Sequence, residues 1–211
     1  MSAHVISLSE LLSARHLHRG GRSAPAPAEW RLATLQGRLV EISGGGDSAA
    51  LSLSAGLIVE AQGAEAPVAW VGAHRDLFYP PDLAACGVDL SALPVVLAPG
   101  VEAALVASDR LLRSGAFGLV VLDLGGASEL PLAAQSRLAG LAQRHEAALV
   151  CLTRKEADQG SLGALVSLRA QARRRALGGG RYALGLEVLK DKRRGPGWRH
   201  EEVRRGPLGL C

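Results

Sequence analysis

Short apolar segments separated by polar turns recur along most of the chain and predict alternating strands and helices. Segments short enough for buried strands cover residues 38–43, 67–72, 93–97, 117–124 and 147–152. The intervening segments carry leucine, isoleucine, valine and alanine at helical spacing and predict helices over residues 48–62, 80–85, 101–112 and 130–145. Strands this apolar, alternating with helices, predict an α/β fold with a mainly parallel central sheet that helices flank on both faces.

The pattern changes in the last quarter of the chain. Residues 164–173 and 182–189 alternate apolar and polar side chains on either side of the turn Gly178-Gly179-Gly180. A period of two around a glycine turn predicts two antiparallel strands at the edge of the sheet. The residues from Pro196 onward predict a short strand or a frayed tail.

Leucines at roughly helical spacing follow a capping-box sequence near the N-terminus and predict a short amphipathic helix over residues 8–18. Leu8, Leu11 and Leu12 give this helix an apolar stripe, which either docks on its own domain or binds another protein. The predicted organisation is an N-terminal helix segment (1–19), a flexible linker (20–34), a core (35–203) and a tail (204–211).

Composition narrows the class of protein. The chain has 211 residues, of which 48% are hydrophobic and only 3% aromatic, so its core must consist of leucine, valine and alanine. No apolar run approaches the length of a membrane span and the N-terminus does not resemble a signal peptide, so a cytoplasmic protein without a membrane partner is expected. Cys86, Cys151 and Cys211 lack paired spacing, which predicts reduced thiols and no cysteine-based zinc site.

Positive charge is concentrated in the C-terminal part. Residues 1–153 carry 10 basic and 14 acidic side chains (net −4), whereas residues 154–211 carry 14 and 6 (net +8). Such a cluster is typical of a surface that binds nucleic acid or an acidic protein, and a solvated basic tail is the alternative. The candidates for contacts with DNA or a protein partner are Arg154, Lys155, Arg173, Arg174, Arg175, Arg193 and Arg194.

A strand, a glycine turn and a helix start follow one another at residues 37–53. The glycines are Gly44, Gly45 and Gly46, and a turn of this kind at the positive end of a helix is typical of a phosphate site. A working phosphate loop also needs a lysine and a serine or threonine, but the corresponding positions hold Ala50 and Leu51. The sequence therefore predicts a degenerate loop without a cofactor, with an ordinary tight turn as the alternative interpretation.

Two acidic residues bear on this site. Asp47 adds negative charge where phosphate would bind, and Asp123 ends an apolar strand at the position where a phosphate-loop ATPase holds magnesium. An ATPase with a non-standard loop would use Asp123 for magnesium and His74 near the nucleotide. The missing lysine argues against that enzyme, so no catalytic residue and no metal ligand are expected.

Several short motifs occur in the order and spacing of the RecA recombinase core. They are GRLVEISGGG at 37–46, GVD at 87–89, RSGA at 113–116, VVLD at 120–123, and LKDK at 189–192 followed by Pro196. Together they resemble RecA over about residues 35–203. The resemblance implies a RecA-like core, in which the first of these motifs corresponds to the phosphate-loop strand and VVLD to the Walker B strand.

The departures from RecA resemble a particular family. The Walker A lysine and threonine are missing, Ala73-His74 replaces the expected glutamate, and the second DNA-binding loop shrinks to residues 154–163. This combination resembles ImuA, a family of RecA-like, SulA-related accessory proteins of bacterial translesion mutagenesis cassettes. The resemblance implies a non-catalytic role in SOS-induced translesion synthesis, with RecA and the polymerase homologue ImuB as partners. The alternatives are a SulA-like cell-division inhibitor and a DNA-binding RecA paralogue with residual nucleotide binding.

Lysine is rare in this chain and its positions are informative. Only Lys155, Lys190 and Lys192 occur among 24 basic residues. Lys190 and Lys192 fall where RecA places the lysines that reach across a protomer interface to the neighbour's ATP. The hypothesis is that the protein retains this face and caps or modulates a RecA filament, with the N-terminal helix as a second contact. The alternative is that both lysines are ordinary exposed charges after an edge strand.

Overall fold

The computed structural model describes residues 29–46, 48–74 and 78–206, and the elements below lie within these ranges. The strands are β1 (Arg38–Ser43), β2 (Val68–Gly72), β3 (Val95–Leu97), β4 (Leu119–Asp123), β5 (Ala148–Thr153), β6 (Leu168–Gly178), β7 (Arg181–Asp191) and β8 (Arg199–Arg205). The helices are α1 (Leu32–Leu35), α2 (Ala50–Gly63), α3 (Pro80–Ala85), α4 (Val101–Ser114) and α5 (Leu132–Arg144), and a 3-10 turn covers Leu90–Ala92.

The eight strands form one sheet in the order β3-β2-β4-β5-β1-β6-β7-β8. The six strands from β3 to β6 are parallel, while β7 is antiparallel to both β6 and β8. This confirms the predicted α/β fold with a mainly parallel sheet and antiparallel strands near the C-terminus. Strand β1 lies between β5 and β6, so the loop that follows it is central in the sheet.

Helices cover the two faces of the sheet unequally. Helices α1, α2 and α3 pack on one face, where the core runs from β2 across to β7 and includes Trp70, Ile58 and Leu186. Helices α4 and α5 pack on the other face, where the core includes Leu122, Leu138 and Leu149 and takes no residue from β6, β7 or β8. Strands β1, β2, β4 and β5 are therefore buried on both faces, which explains the almost continuous apolar sequences of β2, β4 and β5, whereas β1 also buries Arg38 and Glu41.

Local sequence explains where several elements begin and end. Helix α3 begins with two prolines, whose fixed φ suits the first helical turn. Helix α4 ends at Gly115, whose φ of 70° lies in the left-handed region that favours glycine. The β6–β7 hairpin turns at Gly179 and Gly180, both at positive φ.

The predicted boundaries need three corrections. Residues 29–34 are part of the core and not of a linker, since Trp30 and Leu32 are buried and the Leu32 N–H donates to Glu60 Oε2 at 3.0 Å. Arg204 and Arg205, predicted as tail, belong to β8. Strand β6 begins at Leu168, later than the alternation indicated, because the preceding residues form a loop. The predicted helix over 8–18 lies outside the described residues.

No helix within the described ranges is both long enough and apolar enough to cross a membrane. Cys86 and Cys151 have free thiols. Burial raises the pKa of both thiols.

Candidate functional site

The loop between β1 and α2 lines a cavity of about 410 Å³ at the carboxyl edge of the parallel strands. Open α/β sheets bind ligands at this edge. The cavity brings together the predicted glycine turn and the predicted acidic residue at the end of β4. Its lining residues are Gly44, Gly45, Gly46, Ser48, Ala50, Leu51, Asp123, Leu152, Thr153 and Arg154.

Close packing, and not left-handed backbone, explains the first two glycines. None of Gly44, Gly45 and Gly46 has positive φ. A Cβ on Gly44 would overlap the Ser48 side chain and lie 2.9 Å from the Ala172 carbonyl oxygen. A Cβ on Gly45 would overlap Oε1 of Glu156. The carboxylate of Glu156 thus lies directly against the loop that would hold phosphate.

The start of α2 offers little to an anion. Ala50 is buried, and the first turn contains no charged residue. The Ser48 hydroxyl oxygen accepts a hydrogen bond from the Ala50 N–H at 3.0 Å, so this hydroxyl already has a backbone partner. Arg154 is the cation that lines the cavity, and two carboxylates, Glu156 and Asp123, lie near it. Asp47 lies outside the described residues.

Asp123 is buried at the end of β4, where its Oδ1 accepts a hydrogen bond from the Gly125 N–H at 3.1 Å. Burial raises the pKa of Asp123 to about 6, although the Gly125 N–H and the positive charges of Arg154 and His74 act in the opposite direction. His74 and Arg154 are therefore close enough to act on this carboxyl group electrostatically.

A third carboxylate, Glu41, forms a fully buried ion pair beneath the cavity. Its Oε1 lies 2.7 Å from Lys155 Nζ, and it also accepts a hydrogen bond from the Thr153 hydroxyl at 3.2 Å. Its Oε2 accepts hydrogen bonds from the Ser161 hydroxyl at 3.0 Å and from the Leu162 N–H at 2.8 Å. Glu41 was not among the site residues predicted from the sequence, although a glutamate within a strand of otherwise buried residues indicates that a buried cation must neutralise it.

Lys155 is a structural residue in this fold. Only 3% of its side chain is exposed, and its ammonium group donates to Ser128 O at 3.0 Å and to Gly160 O at 2.8 Å in addition to its pairing with Glu41. These three acceptors use all three of its N–H bonds. Lys155 is therefore not available to DNA or a partner in this structure, which corrects the prediction from the sequence. Its neighbour Arg154 is exposed.

Buried polar contacts hold residues 154–163, here called the covering loop, against β1 and β6. Arg169 on β6 donates to the carbonyl oxygens of Gln159 and Glu156, the latter at 2.9 Å, and its Nε lies 3.9 Å from Glu41 Oε2. Because the covering loop is fixed from below by Glu41 and Arg169, Glu156 is positioned over Gly45.

Lys190 and Lys192 lie away from the cavity, at the end of β7. Their ammonium groups donate to the same oxygen, Ala164 O, at 3.3 and 2.7 Å, and Lys190 also contacts Gly163 O at 3.4 Å. Burial and the neighbouring charge of Lys192 lower the pKa of Lys190. The two positive charges therefore converge on one backbone carbonyl.

Asp191, between these lysines, points to the opposite side of the strand and is buried. It accepts hydrogen bonds from Arg38 at 2.6 Å, from Trp198 Nε1 at 3.1 Å and from the Arg193 N–H at 2.9 Å. Although burial would raise it, these three donors hold the pKa of Asp191 below its usual value. This anchoring fixes the direction of both lysine side chains.

The remaining predicted basic residues fall at two separate places. Arg173, Arg174 and Arg175 are exposed near the tip of the β6–β7 hairpin, and the Arg174 guanidinium lies 5.3 Å from the centre of the Tyr182 ring. Arg193 and Arg194 are exposed at the other end of β7, where Arg193 donates to Gln36 O at 3.3 Å. The structure therefore does not join the basic residues into one patch.

Fold and site together define an α/β protein with a mixed eight-stranded sheet, whose central glycine loop lacks the lysine and hydroxyl of a phosphate loop. A scan against known protein families found no match, and a search of curated proteins also found none.

Proposed function

We propose that the protein is a RecA-like accessory protein of SOS-induced translesion DNA synthesis that acts by contacts with RecA and the polymerase homologue ImuB. The observation that carries the proposal is the glycine loop after β1, which has the position of a phosphate loop but faces the carboxylate of Glu156 and no lysine. A RecA-like core is supported by the placement of the shared motifs. GRLVEISGGG covers β1 and its loop, VVLD ends β4, and LKDK spans the end of β7.

The electrostatics of the cavity support a non-catalytic role. Phosphoryl transfer depends on cations that neutralise the charge developing on the phosphate oxygens. Here two carboxylates, Glu156 and Asp123, lie at the loop with Arg154 as the single lining cation among the described residues. The carboxylate of Glu156 would repel a triphosphate at this position, and Arg154 is the one lining cation of the described residues that could oppose this repulsion.

The lysine pair supports a role in completing the site of another subunit. Lys190 and Lys192 lie outside the protein's own cavity, and both ammonium groups are directed at Ala164 O. A phosphate oxygen of a neighbouring subunit's ATP would replace this carbonyl as a stronger, charged acceptor. A chain with one competent face and no nucleotide site ends an assembly and does not extend it, which accounts for capping or modulation of a RecA filament.

The test is binding of K190A/K192A to immobilised RecA in the presence of a non-hydrolysable ATP analogue. We expect affinity at least about tenfold weaker than wild type, because both phosphate-directed charges are lost. R110A/R144A is the matched control, since it removes two exposed arginines from α4 and α5, and its affinity should stay within about twofold. Equal affinity of K190A/K192A and wild type would refute the role of the lysines.

A further inference from the structure

One face of the β6–β7–β8 ribbon is bare within the described residues. The helix pair α4 and α5 covers this side of β1, β2, β4 and β5, but no residue of β6, β7 or β8 belongs to the core that it forms. Beyond the covering loop, every residue of β6 from Arg173 to Gly178 is exposed. The ribbon therefore presents an open sheet face next to the carboxyl edge of the parallel strands.

Strand register brings four arginines together on this face. Arg173 lies opposite Gly185 on β7, Arg175 lies opposite Ala183, and Arg181 of β7 lies opposite Arg205 of β8. Alternation along each strand places all four on the same side of the sheet. We call Arg173, Arg175, Arg181 and Arg205 the arginine face. The middle strand places the small residues Ala183 and Gly185 between the arginines.

The arginine face has an excess of positive charge that its own sheet does not neutralise. All four side chains are exposed, and none forms a hydrogen bond or an ion pair in the described part of the chain. Glu187 on the same side is paired with Arg199 at 2.8 Å. The Arg199 hydrogen bond and charge lower the pKa of Glu187, with a smaller contribution from Arg173. Among the β7–β8 pairs, Glu201, opposite Gly185, is the other acidic residue on this side, whereas Glu202 lies on the opposite side.

The opposite side of the same ribbon provides a comparison. There Arg174 lies over the Tyr182 ring, and Arg204 donates to Glu202 at 2.8 Å. The arginines on the helix-covered side are thus partnered within the protein, as is Arg199 on the bare side, while the four residues of the arginine face are not. The arginine face therefore leaves four guanidinium groups available to an external anionic partner.

We propose that the arginine face binds the phosphate backbone of a nucleic acid. Guanidinium groups match phosphate oxygens in a bidentate geometry, and successive arginines on one side of a strand are about 6.6–6.8 Å apart. The core of a protein interface is usually rich in aromatic and apolar side chains, but the exposed large apolar side chains of β6, β7 and β8 are limited to Leu177 and Val203. Without an aromatic platform the contact does not read bases, so binding is independent of sequence. The inference does not depend on binding to RecA.

The test is fluorescence anisotropy with a labelled single-stranded oligonucleotide, and a duplex of equal length alongside, over a series of salt concentrations. We expect wild-type protein to bind at low salt and R173Q/R175Q to bind at least about tenfold more weakly. For the single strand, loss of two phosphate contacts should also reduce the slope of log affinity against log salt by about 1.4. R110Q/R144Q removes the same charge from α4 and α5 and should leave both quantities unchanged.

Three results would overturn the proposal. The first is an absence of binding to both nucleic acids at low salt. The second is an equal loss of affinity in R173Q/R175Q and R110Q/R144Q, which would mean that net charge alone matters. The third is tighter binding to polyglutamate than to the oligonucleotides, which would assign the face to an acidic protein. Thermal unfolding of both variants shows whether each retains the fold, which is expected because all four substituted side chains are exposed.

Discussion

Asp123 links the stability of the fold to pH. Folding raises the pKa of this carboxyl group from 3.8 to about 6, so the native state binds a proton more tightly than the unfolded chain does. The contribution of Asp123 to the free energy of unfolding should therefore be least unfavourable below about pH 4 and become more unfavourable as the pH rises to about 6. A shift of this size corresponds to roughly 3 kcal/mol.

Asp123→Asn should remove this dependence, because the amide is neutral and its oxygen can still accept from the Gly125 N–H. We expect the variant to be more stable than wild type at pH 7, by at most roughly 3 kcal/mol, and similar to it at pH 4. Urea unfolding between pH 4 and 7 measures the difference. Asp158→Asn, at an exposed site, is the control and should parallel wild type. If the stability of D123N also followed that of wild type at every pH, this result would contradict the burial of the Asp123 carboxylate.

At the scale of residues, the sequence predicts which chemical groups a site contains or lacks better than it predicts which distant side chains surround that site. The loss of lysine and hydroxyl at Ala50 and Leu51 can be read from spacing alone. Glu156 cannot be found this way, because it reaches Gly45 only when the covering loop folds back across β1. The burial of Lys155 was missed for the same reason, since its partner Glu41 is distant in sequence and close only across the sheet.

The covering loop depends on the buried Glu41–Lys155 ion pair. Lys155→Met should destabilise the protein by about 3–5 kcal/mol, because it leaves the Glu41 carboxylate buried without its closest cation. The double variant E41L/K155M should lose less than the sum of the two single variants, since it removes both charges together. Urea unfolding of the three variants gives the coupling energy.

The control for this cycle is the exposed ion pair of Arg31 and Glu29, whose side chains are 64% and 53% exposed. Arg31→Ala should change stability by no more than about 0.5 kcal/mol, because water and salt screen the pair. If K155M were as mild as R31A, the covering loop would have to be held by other contacts.

At the scale of elements, apolar periodicity located the central strands and helices. Helix α3 was predicted at its observed bounds, and β1, β4 and β5 lie within about two residues of the predictions. Composition gave a wrong prediction where a short core element follows a proline-rich segment. Trp30 and Leu32 were assigned to a linker, although both are buried. Alternation likewise placed the start of β6 too early, because loop residues before Leu168 continue the pattern.

At the scale of the whole molecule, the order of the strands in the sheet could not be predicted from hydrophobic periodicity. Every apolar segment in the parallel part of the sheet has a similar sequence character, and pairing is decided by contacts between distant segments. The central position of β1 and the edge position of β3 therefore come from the structure. This topology also separates the glycine loop from Lys190 and Lys192. The separation supports the proposal that the two lysines contribute to the nucleotide site of another subunit although the chain lacks such a site of its own.

The most direct test of this account is binding of the wild-type protein to RecA, measured by biosensor with and without a non-hydrolysable ATP analogue. Nucleotide binding by the protein alone is measured in parallel. We predict that the analogue strengthens binding to RecA and that the isolated protein does not bind it, because Glu156 lies against the glycine loop and no lysine is present there. Nucleotide binding by the isolated protein, or binding to RecA that the analogue does not affect, would contradict the account.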